Sequence, residues 1–337
     1  MQRFILRRLI LLVPLLLGVT LVAFVLAHAV PSDPVNAALG QSAVADPEIV
    51  AAFRAKWGLD KPAHVQYLTY LGNLLRGDLG RSIASRRPVS EDVRRYLPAT
   101  IELATASTVL AVLIGVPLGI ISAVRRNTWL DQVSRVFSLI GVSAPVFWLA
   151  LLALFVFYAR LRWLPGPGRL DVGLEPPARI TGLYTLDALL RGDFDLFRNA
   201  LRHLILPSAV LASYSMGLIT RMTRSALLDV LGQDYIRTAR AKGMTELRVI
   251  LRHAMPNALI PTVTVLGLSY GNLLAGTVLT ETIFSWPGIG QYAYRSAVSL
   301  DFPAIMGVTM VIALIFILAN LLVDATYVFL DPRLREG

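Results

Sequence analysis

One stretch of the sequence has the spacing of a hydrolase nucleophile. Residues 267–271 read Gly-Leu-Ser-Tyr-Gly, the Gly-x-Ser-x-Gly pattern that presents a reactive serine on a sharp turn between a strand and a helix. Ser269 lies instead within an apolar run, and no histidine follows His253 to complete the order serine, acid, histidine. The same residues also read Gly-x-x-x-Gly, continued by Ala275, a pattern typical of packed membrane helices. We therefore expect Ser269 in a helix interface, and a hydrolase is the least favoured interpretation.

Metal and nucleotide chemistry have no recognisable pattern in this sequence. The 4 histidines are scattered and there is no cysteine, so no spacing of metal ligands can be found. A phosphate-binding loop of the form Gly-x-x-x-x-Gly-Lys-Ser/Thr does not occur either. We expect no metal site and no cofactor in this chain.

The composition predicts that the elements around these residues are membrane helices. Of 337 residues, 55% are hydrophobic and only 16% are charged, whereas soluble domains carry about 25% charged residues. About 20 apolar residues in a helix span the hydrocarbon core, and helices satisfy their own backbone polar groups there. We predict an all-α protein with six transmembrane helices at residues 9–30, 97–124, 136–159, 203–220, 257–284 and 303–329.

Charge sets the predicted orientation. Basic residues are about twice as dense in the segments that a cytoplasmic N-terminus would place inside as in those it would place outside. Both termini are therefore predicted to be cytoplasmic, and the net charge of +10 needs no nucleic-acid partner. Residues 1–30 are predicted to be a retained anchor and first span, because the apolar run is longer than the core of a cleaved signal.

The remaining chain divides into an extracytoplasmic helical segment, 31–96, and a core that holds the other five predicted spans, 97–337. In the first, we predict short helices from Asp46 to Gly58, from Pro62 to Gly77, and at 91–96 before Pro98 opens the next span. A second outer segment, 160–202, is predicted to be helical near 186–191.

The segment 221–256 is the longest one predicted inside the cell. It reads as a helix closed by Gly243 and a second, amphipathic helix that begins near Thr245. Small residues among cations suit close packing into a partner's groove, but a basic helix at a lipid surface has the same composition. The residues alone leave both interpretations open.

This segment resembles the coupling motif of ATP-binding-cassette (ABC) import permeases. That motif reads Glu-Ala-Ala, three residues, Gly, nine residues, Ile, one residue, Leu-Pro. Ala239, Gly243 and Pro256 match it, whereas Arg237, Thr238, His253 and Met255 depart from it. Residues 235–243, Tyr-Ile-Arg-Thr-Ala-Arg-Ala-Lys-Gly, are similar throughout to the branch of dipeptide, oligopeptide and nickel importers. The likeness extends to residues 77–82, 252–258 and 281–290.

The resemblance implies a type I ABC importer permease in the bacterial cytoplasmic membrane. It implies four kinds of partner: a second homologous permease, two ATPase subunits that bind ATP and Mg, an external binding protein and the lipid bilayer. The cations at 237, 240 and 242 would then complement the ATPase, and the small residues at 239, 241 and 243 would pack against it. The implied ATPase-coupling residues are Tyr235, Arg237, Thr238, Ala239, Arg240, Ala241, Lys242, Gly243, Met255 and Pro256.

The translocation pathway is predicted from polar residues at membrane depth. Ser269, Asn272 and Glu281 are the candidates, although Glu281 and Glu102 lie near span ends, where capping a neighbouring helix is an equal possibility. A self-sufficient secondary transporter is the alternative, disfavoured because few acids occur within the spans. Peptides are the expected substrate, with nickel chelates, glutathione and oligosaccharides as alternatives.

Overall fold

The structure confirms an all-α chain in the part that it describes. The computed structural model describes residues 2–29, 47–48, 50–51 and 60–330, and every regular element there is helical. The predicted helix between Asp46 and Gly58 lies, apart from the two short stretches just given, outside the described residues.

The chain divides into two compact units. Residues 1–98 and 287–317 make up the first unit, and residues 99–286 and 318–337 make up the second. Two helices, α3 and α13, have residues in both. The helices of the first unit are α1 (Gln2–Ala29), α2 (Ala63–Leu75), the start of α3 (Val89–Val124), α12 (Ile289–Val298) and the start of α13 (Phe302–Leu330).

The second unit holds the longer bundle. Its helices pack around α7, and two π-helical turns, π1 and π2, interrupt them. The elements are α4 (Trp129–Ser143), α5 (Val146–Ala153), π1 (Leu154–Arg160), α6 (Tyr184–Leu190), α7 (Phe194–Leu231), α8 (Asp234–Ala241), α9 (Glu246–Arg248), π2 (Val249–Ala254), α10 (Met255–Gly276) and α11 (Val278–Ile283).

Four described helices are long and apolar enough to cross a membrane. They lie at Val89–Val124, Phe194–Leu231, Glu246–Leu274 and Phe302–Leu321. The bent pair Trp129–Ser143 and Val146–Arg160 brings the number to as many as five if it counts as one span. The apolar stretch Leu12–Leu26, which lies within α1, is shorter than these spans.

Two of the predicted short helices end at glycines, as the sequence predicts. The helix predicted from Pro62 is α2, and the one predicted near 186–191 is α6; both predictions are confirmed. Gly77 and Gly192, which follow them, have φ of +79° and +74°. This left-handed conformation is open to glycine and ends a helix by turning its backbone away.

Proline does not begin a new helix at Pro98. The prediction of a separate helix at 91–96 is wrong, because α3 runs unbroken through Pro98 from Val89 to Val124. Val89 and Val93 pack with the first unit's core, and residues 99–104 include the buried Ala99 and Leu103 of the second unit's core. Tertiary packing on both sides of the proline outweighs its local cost.

Proline does break the predicted third span. A single helix over 136–159 is wrong, because α4 and the following helical stretch Val146–Arg160 meet at a bend of 105°. Ala144 has φ −74° and ψ 131°, an extended conformation, immediately before Pro145. A residue that precedes proline is driven out of the helical region by the proline ring, which explains the bend.

The fourth span is the longest helix rather than the shortest. The predicted limits 203–220 are wrong, because α7 covers 38 residues from Phe194 to Leu231. Of its most apolar window 72% is buried by protein, compared with 33% in each of the other three. Polar residues such as Ser208 and Ser215 face that protein interior, so the hydropathy of the sequence underestimated the helix.

Glycine lets two helices approach α7 closely. A Cβ on Gly141 of α4 would lie 2.6 Å from the carbonyl oxygen of Ser213, and one on Gly217 would lie 2.6 Å from that of Ser138. On α3, a Cβ on Gly119 would lie 2.6 Å from the Cβ of Thr223. These glycines lie where α3 and α4 cross α7, which is the centre of the second unit.

A buried ion pair fixes α7 to its neighbours. The Asp131 carboxylate on α4 is fully buried and accepts hydrogen bonds from Arg224 Nε and Nη2 at 2.8 and 2.9 Å. Ser122 Oγ on α3 donates to it at 2.6 Å, and the Asn127 backbone N–H donates at 3.0 Å. One carboxylate thus joins α3, α4 and α7.

We expect Asp131→Asn to lower the free energy of unfolding by about 3 kcal/mol, because it leaves the Arg224 charge without its partner at a buried position. Thermal unfolding in detergent measures this. Asp229→Asn is the matched control, since Asp229 is an exposed aspartate on α7, the helix that carries Arg224. Equal unfolding temperatures for the two variants would contradict the structural role of Asp131.

Candidate functional site

The segment after α7 is a short helix closed by a glycine turn. In α8, the N–H of Gly243 donates to Arg240 O at 2.9 Å, and the N–H of Met244 donates to Ala239 O at 3.4 Å. Gly243 has φ +76°. This pair of bonds around a left-handed glycine is a Schellman motif, which ends a helix and redirects the chain. The predicted helix closed by Gly243 is confirmed.

One face of α8 belongs to the core of its own unit. Ile236 is fully buried and Ala239 is 7% exposed. Both lie in one apolar cluster with Leu227 of α7, Val249 of π2 and Ala258 of α10. The helix therefore rests on two long helices of the bundle, α7 and α10.

The other face of α8 is exposed. It carries Tyr235, Arg237, Thr238, Arg240 and Ala241, and it continues into Lys242 and Gly243.

Arg240 forms an ion pair with Glu246 within the same segment. Its Nε and Nη2 donate to the two carboxylate oxygens of Glu246 at 3.1 and 2.6 Å. This bidentate pair spans the Gly243 turn, and the Glu246 carboxylate raises the pKa of the Arg240 guanidinium above its ordinary value. Arg237 lies 3.3 Å from Asp234 on its own helix. Among these three cations, Lys242 has no carboxylate partner in the described part of the chain.

A wide turn connects the segment to α10. The predicted start of the fifth span at residue 257 is wrong, since α9, π2 and α10 follow one another without interruption and the candidate span begins at Glu246. Pro256 has no N–H and its ring crowds the carbonyl of Arg252, four residues earlier, which a π-helical turn accommodates. Asn257 Nδ2 donates to the Tyr235 hydroxyl at 2.7 Å and so ties the start of α10 to the start of α8.

Two of the predicted coupling residues are not on the surface. Ala239 and Met255 are each 7% exposed and lie in the apolar cluster around Ile236. Ala239 packs against its own chain, and a contact between Ala239 and an ATPase stays a prediction. The sequence signal that was missed is the spacing of Ile236 and Ala239, three residues apart on one helix face.

The three pathway candidates lie in different surroundings. Asn272 is exposed on α10, while Ser269 is 7% exposed. Glu281 is fully buried and accepts hydrogen bonds from Thr100 at 2.6 Å and Thr277 at 2.7 Å. The structure thus puts Glu281 in a helix contact, and only Asn272 is on the surface of the chain.

One sequence prediction around these residues is corrected: the span predicted to run to residue 284 ends at Gly276, and Thr277 separates α10 from the short α11. The expected place of Ser269 in a helix is confirmed, because residues 267–271 lie within α10. No strand–turn–helix is formed there, so the hydrolase interpretation, the least favoured one, is excluded.

A second buried cluster surrounds Glu102, for which the sequence offered the capping of a neighbouring helix; its partners were missed. The Glu102 carboxylate accepts hydrogen bonds from the Arg169 guanidinium and from Thr185 N and Oγ1, the last two at 2.8 and 2.6 Å. The Arg169 guanidinium stacks 3.4 Å from the centre of the Tyr184 ring. These contacts anchor the segment between π1 and α6 to α3. No local pattern predicts them, since the partners are far apart in sequence.

Within the described ranges, no group of three or more His, Asp or Glu side chains is placed to hold a metal ion.

The comparisons with known proteins define the class of this chain. A family model described as "Binding-protein-dependent transport system inner membrane component" matches residues 115–336, and one for the N-terminal part of such membrane components matches residues 1–104. The chain belongs to this family. It is the membrane permease component of an ABC transport system, a non-catalytic subunit of the inner membrane.

Three relatives are similar over nearly their full length. The probable D,D-dipeptide transport system permease protein DdpB of Escherichia coli (strain K12) is 49% identical over 97% of this chain and 95% of that protein. The dipeptide transport system permease protein DppB of Alkalihalophilus pseudofirmus is 45% identical over 99% and 100%. The oligopeptide transport system permease protein AppB of Bacillus subtilis (strain 168) is 40% identical over 99% and 100%.

Arg240 and Glu246 provide a test of whether Arg240 acts within the chain. We expect Arg240→Glu to lower uptake by the complete transport system, because two carboxylates would then repel across the Gly243 turn. The exchange Arg240→Glu with Glu246→Arg should restore most of the uptake. Since both groups are exposed, the free energy of unfolding should change by less than about 1 kcal/mol.

Arg237→Glu is the control for the rescue: it is a charge reversal on the same helix, but Arg237 does not pair with Glu246, so adding Glu246→Arg should not restore its uptake. If the double exchange transports no better than Arg240→Glu alone, Arg240 acts on a partner and the internal role is contradicted.

Proposed function

We propose that this chain is one of two permeases in an ATP-driven importer of short peptides. It forms half of the translocation pathway, and the exposed face of α8 receives the motion of an ATPase subunit. The observation that carries this proposal is the arrangement of α8: a short helix with one face exposed, ended by a rigid glycine turn, and with the other face packed on α7 and α10.

The proposed assembly follows from the class of the chain. A binding-protein-dependent system needs a binding protein outside and a source of energy inside. We infer a second, homologous permease, two ATPase subunits that hold ATP and Mg, and an extracytoplasmic binding protein. In this proposal the chain has six spans, with α1 and the bent pair α4–π1 completing the four long ones, and both termini are cytoplasmic.

Two side chains are proposed for direct roles. Lys242 offers the ATPase a cation that has no internal carboxylate partner among the described residues, next to the small Ala241. Asn272 is proposed for the pathway, because it is polar and exposed at the depth of a span. Ser269 and Glu281 are proposed to act by helix packing.

Peptides are the proposed substrate because three similar permeases are named for D,D-dipeptide, dipeptide and oligopeptide transport. Nickel chelates, glutathione and oligosaccharides are the alternatives to test.

Reconstitution of the chain with its partner subunits in proteoliposomes tests the proposed function. We expect uptake of a labelled dipeptide that requires ATP, both permeases and the binding protein. The same vesicles should be offered labelled glutathione, a nickel chelate and an oligosaccharide. Uptake by the chain alone without ATP would contradict the proposal and favour a secondary transporter.

Gly243 tests the coupling segment. We expect Gly243→Pro to abolish ATP-driven uptake while the ATPase still hydrolyses ATP, because proline has neither the positive φ nor the N–H that bonds to Arg240. Gly243→Ala should be milder, since a left-handed alanine costs about 1 kcal/mol.

Gly232→Ala is the matched control at the other end of α8. Gly232 has φ −81°, and the nearest atom to an added Cβ is 3.6 Å away. We expect this variant to transport normally. Normal uptake by Gly243→Pro would show that the turn is not the coupling element.

A further inference from the structure

A cavity of about 520 Å³ lies in the second unit where π1 ends and α7 begins. Its walls include two arginines, Arg162 from the loop after π1 and Arg202 from α7. Tyr158, Asp171 and His203 also line it. None of these residues takes part in the proposed coupling or pathway.

One wall of the cavity is held rigidly. His203, which is 5% exposed, has Nε2 3.1 Å from Asp171 Oδ1 and Nδ1 3.1 Å from Gly168 O. Asn199 donates to the Asp171 carboxylate and accepts from the Asp171 N–H at 3.1 Å. These hydrogen bonds, that from Asn199 first, hold the pKa of Asp171 below its usual range. The carboxylate is therefore ionised and already engaged.

The two arginines give the cavity a net positive charge. Within the described residues, neither Arg162 nor Arg202 has a carboxylate within ion-pair distance, although the charge of Arg202 helps the hydrogen bonds to lower the pKa of Asp171. Arg202 Nη2 donates to Trp163 O at 3.3 Å, which positions the guanidinium and leaves its other N–H groups for a ligand. Guanidinium groups match the oxygens of phosphate in geometry as well as in charge.

The backbone holds Arg162 in an unusual conformation. Its φ is +55°, a region that residues with a side chain rarely adopt. The next two N–H groups, of Trp163 and Leu164, both donate to Phe157 O, at 2.9 and 3.3 Å, and so fix this turn. The chain thus keeps a strained arginine where it lines the cavity.

The surroundings of the cavity are those of a membrane interface. Tyr158 is 47% exposed and Trp163 is 64% exposed, both next to the end of a candidate span. Such aromatic residues lie at the level of lipid headgroups. The predicted orientation places residues 160–202 outside, so this level is that of the outer leaflet.

We propose that this cavity binds the phosphate of an anionic phospholipid headgroup in the outer leaflet. Arg162 and Arg202 bind the phosphate oxygens. The hydrogen-bonded wall of His203, Asp171 and Asn199 fixes the distance between the loop after π1, which carries Arg162, and α7, which carries Arg202. A net-negative headgroup is preferred, because a zwitterionic one brings its own cation towards two arginines.

Lipid binding to the purified full chain tests the proposal. The chain is titrated in detergent with phosphatidylglycerol, phosphatidylcholine and inorganic phosphate, and binding is followed by native mass spectrometry. We expect Arg162→Gly with Arg202→Gln to weaken phosphatidylglycerol binding about tenfold or more, the effect of losing hydrogen bonds to a charged group. The phosphatidylcholine affinity should stay unchanged.

Arg160→Gln with Arg198→Gln is the matched control, which removes the same charge from two exposed arginines outside the cavity lining. Arg162→Gly alone carries the test if the double variant does not fold, since glycine suits φ +55° and should preserve the unfolding temperature.

Several results would overturn the proposal. Equal affinity for the two lipids, or an equal loss in the two double variants, would mean that the cavity does not select an anionic headgroup. Inorganic phosphate binding as tightly as phosphatidylglycerol would assign the site to a free anion. An acidic peptide that displaces the lipid would assign it to a protein partner.

Discussion

The buried carboxylate of Asp131 is the contact on which the second unit depends. It is fully buried, and among the described residues its charge is balanced by Arg224 and by the donors Ser122 and Asn127. Those groups come from α7, α3 and the connection between α3 and α4, and the contact therefore holds all three helices in one arrangement. Arg224 lies less than two helical turns before the end of α7 at Leu231, so the same contact also sets where α8 emerges.

The bundle extends this constraint through close contacts of small residues. Gly119, Gly141 and Gly217 bring α3 and α4 so near to α7 that an added methyl group would meet neighbouring atoms at 2.6 Å. In lipid the hydrophobic effect does not drive helices together, and packing of this kind replaces it. A second set of contacts, around Glu102 and Arg169, orders the segment between π1 and α6 in the same way, with the buried Glu102 carboxylate bound by donors of its own chain.

The sequence predicted the elements whose ends are local and missed those whose limits are set by neighbours. The helices α2, α6 and α8 end at Gly77, Gly192 and Gly243, and a glycine stop is visible in any single sequence. The length of α7 was not predictable from hydropathy, because Ser208 and Ser215 face protein instead of lipid. Pro98 and Pro145 show that the effect of a proline also depends on its neighbours. At Pro98, packing on both sides keeps α3 intact. At Pro145, the chain bends by 105°.

The sequence predicted the helix α8 and the Gly243 turn that are proposed for coupling, but it did not predict which residues of α8 pack against the chain itself. Sequence reasoning treated Ala239 as a contact for a partner, whereas burial with Ile236 makes it part of the joint between α8, α7 and α10. For the proposed transmission of motion from an ATPase, the packing of α8 on α7 and α10 matters more than one more surface contact would. A partner that moves α8 acts through Leu227 on α7 and through Ala258 on α10, so one small helix is mechanically connected to two candidate spans. The π-helical turn at Val249–Ala254 lies between α8 and α10, and its wider backbone is the natural place for their angle to change.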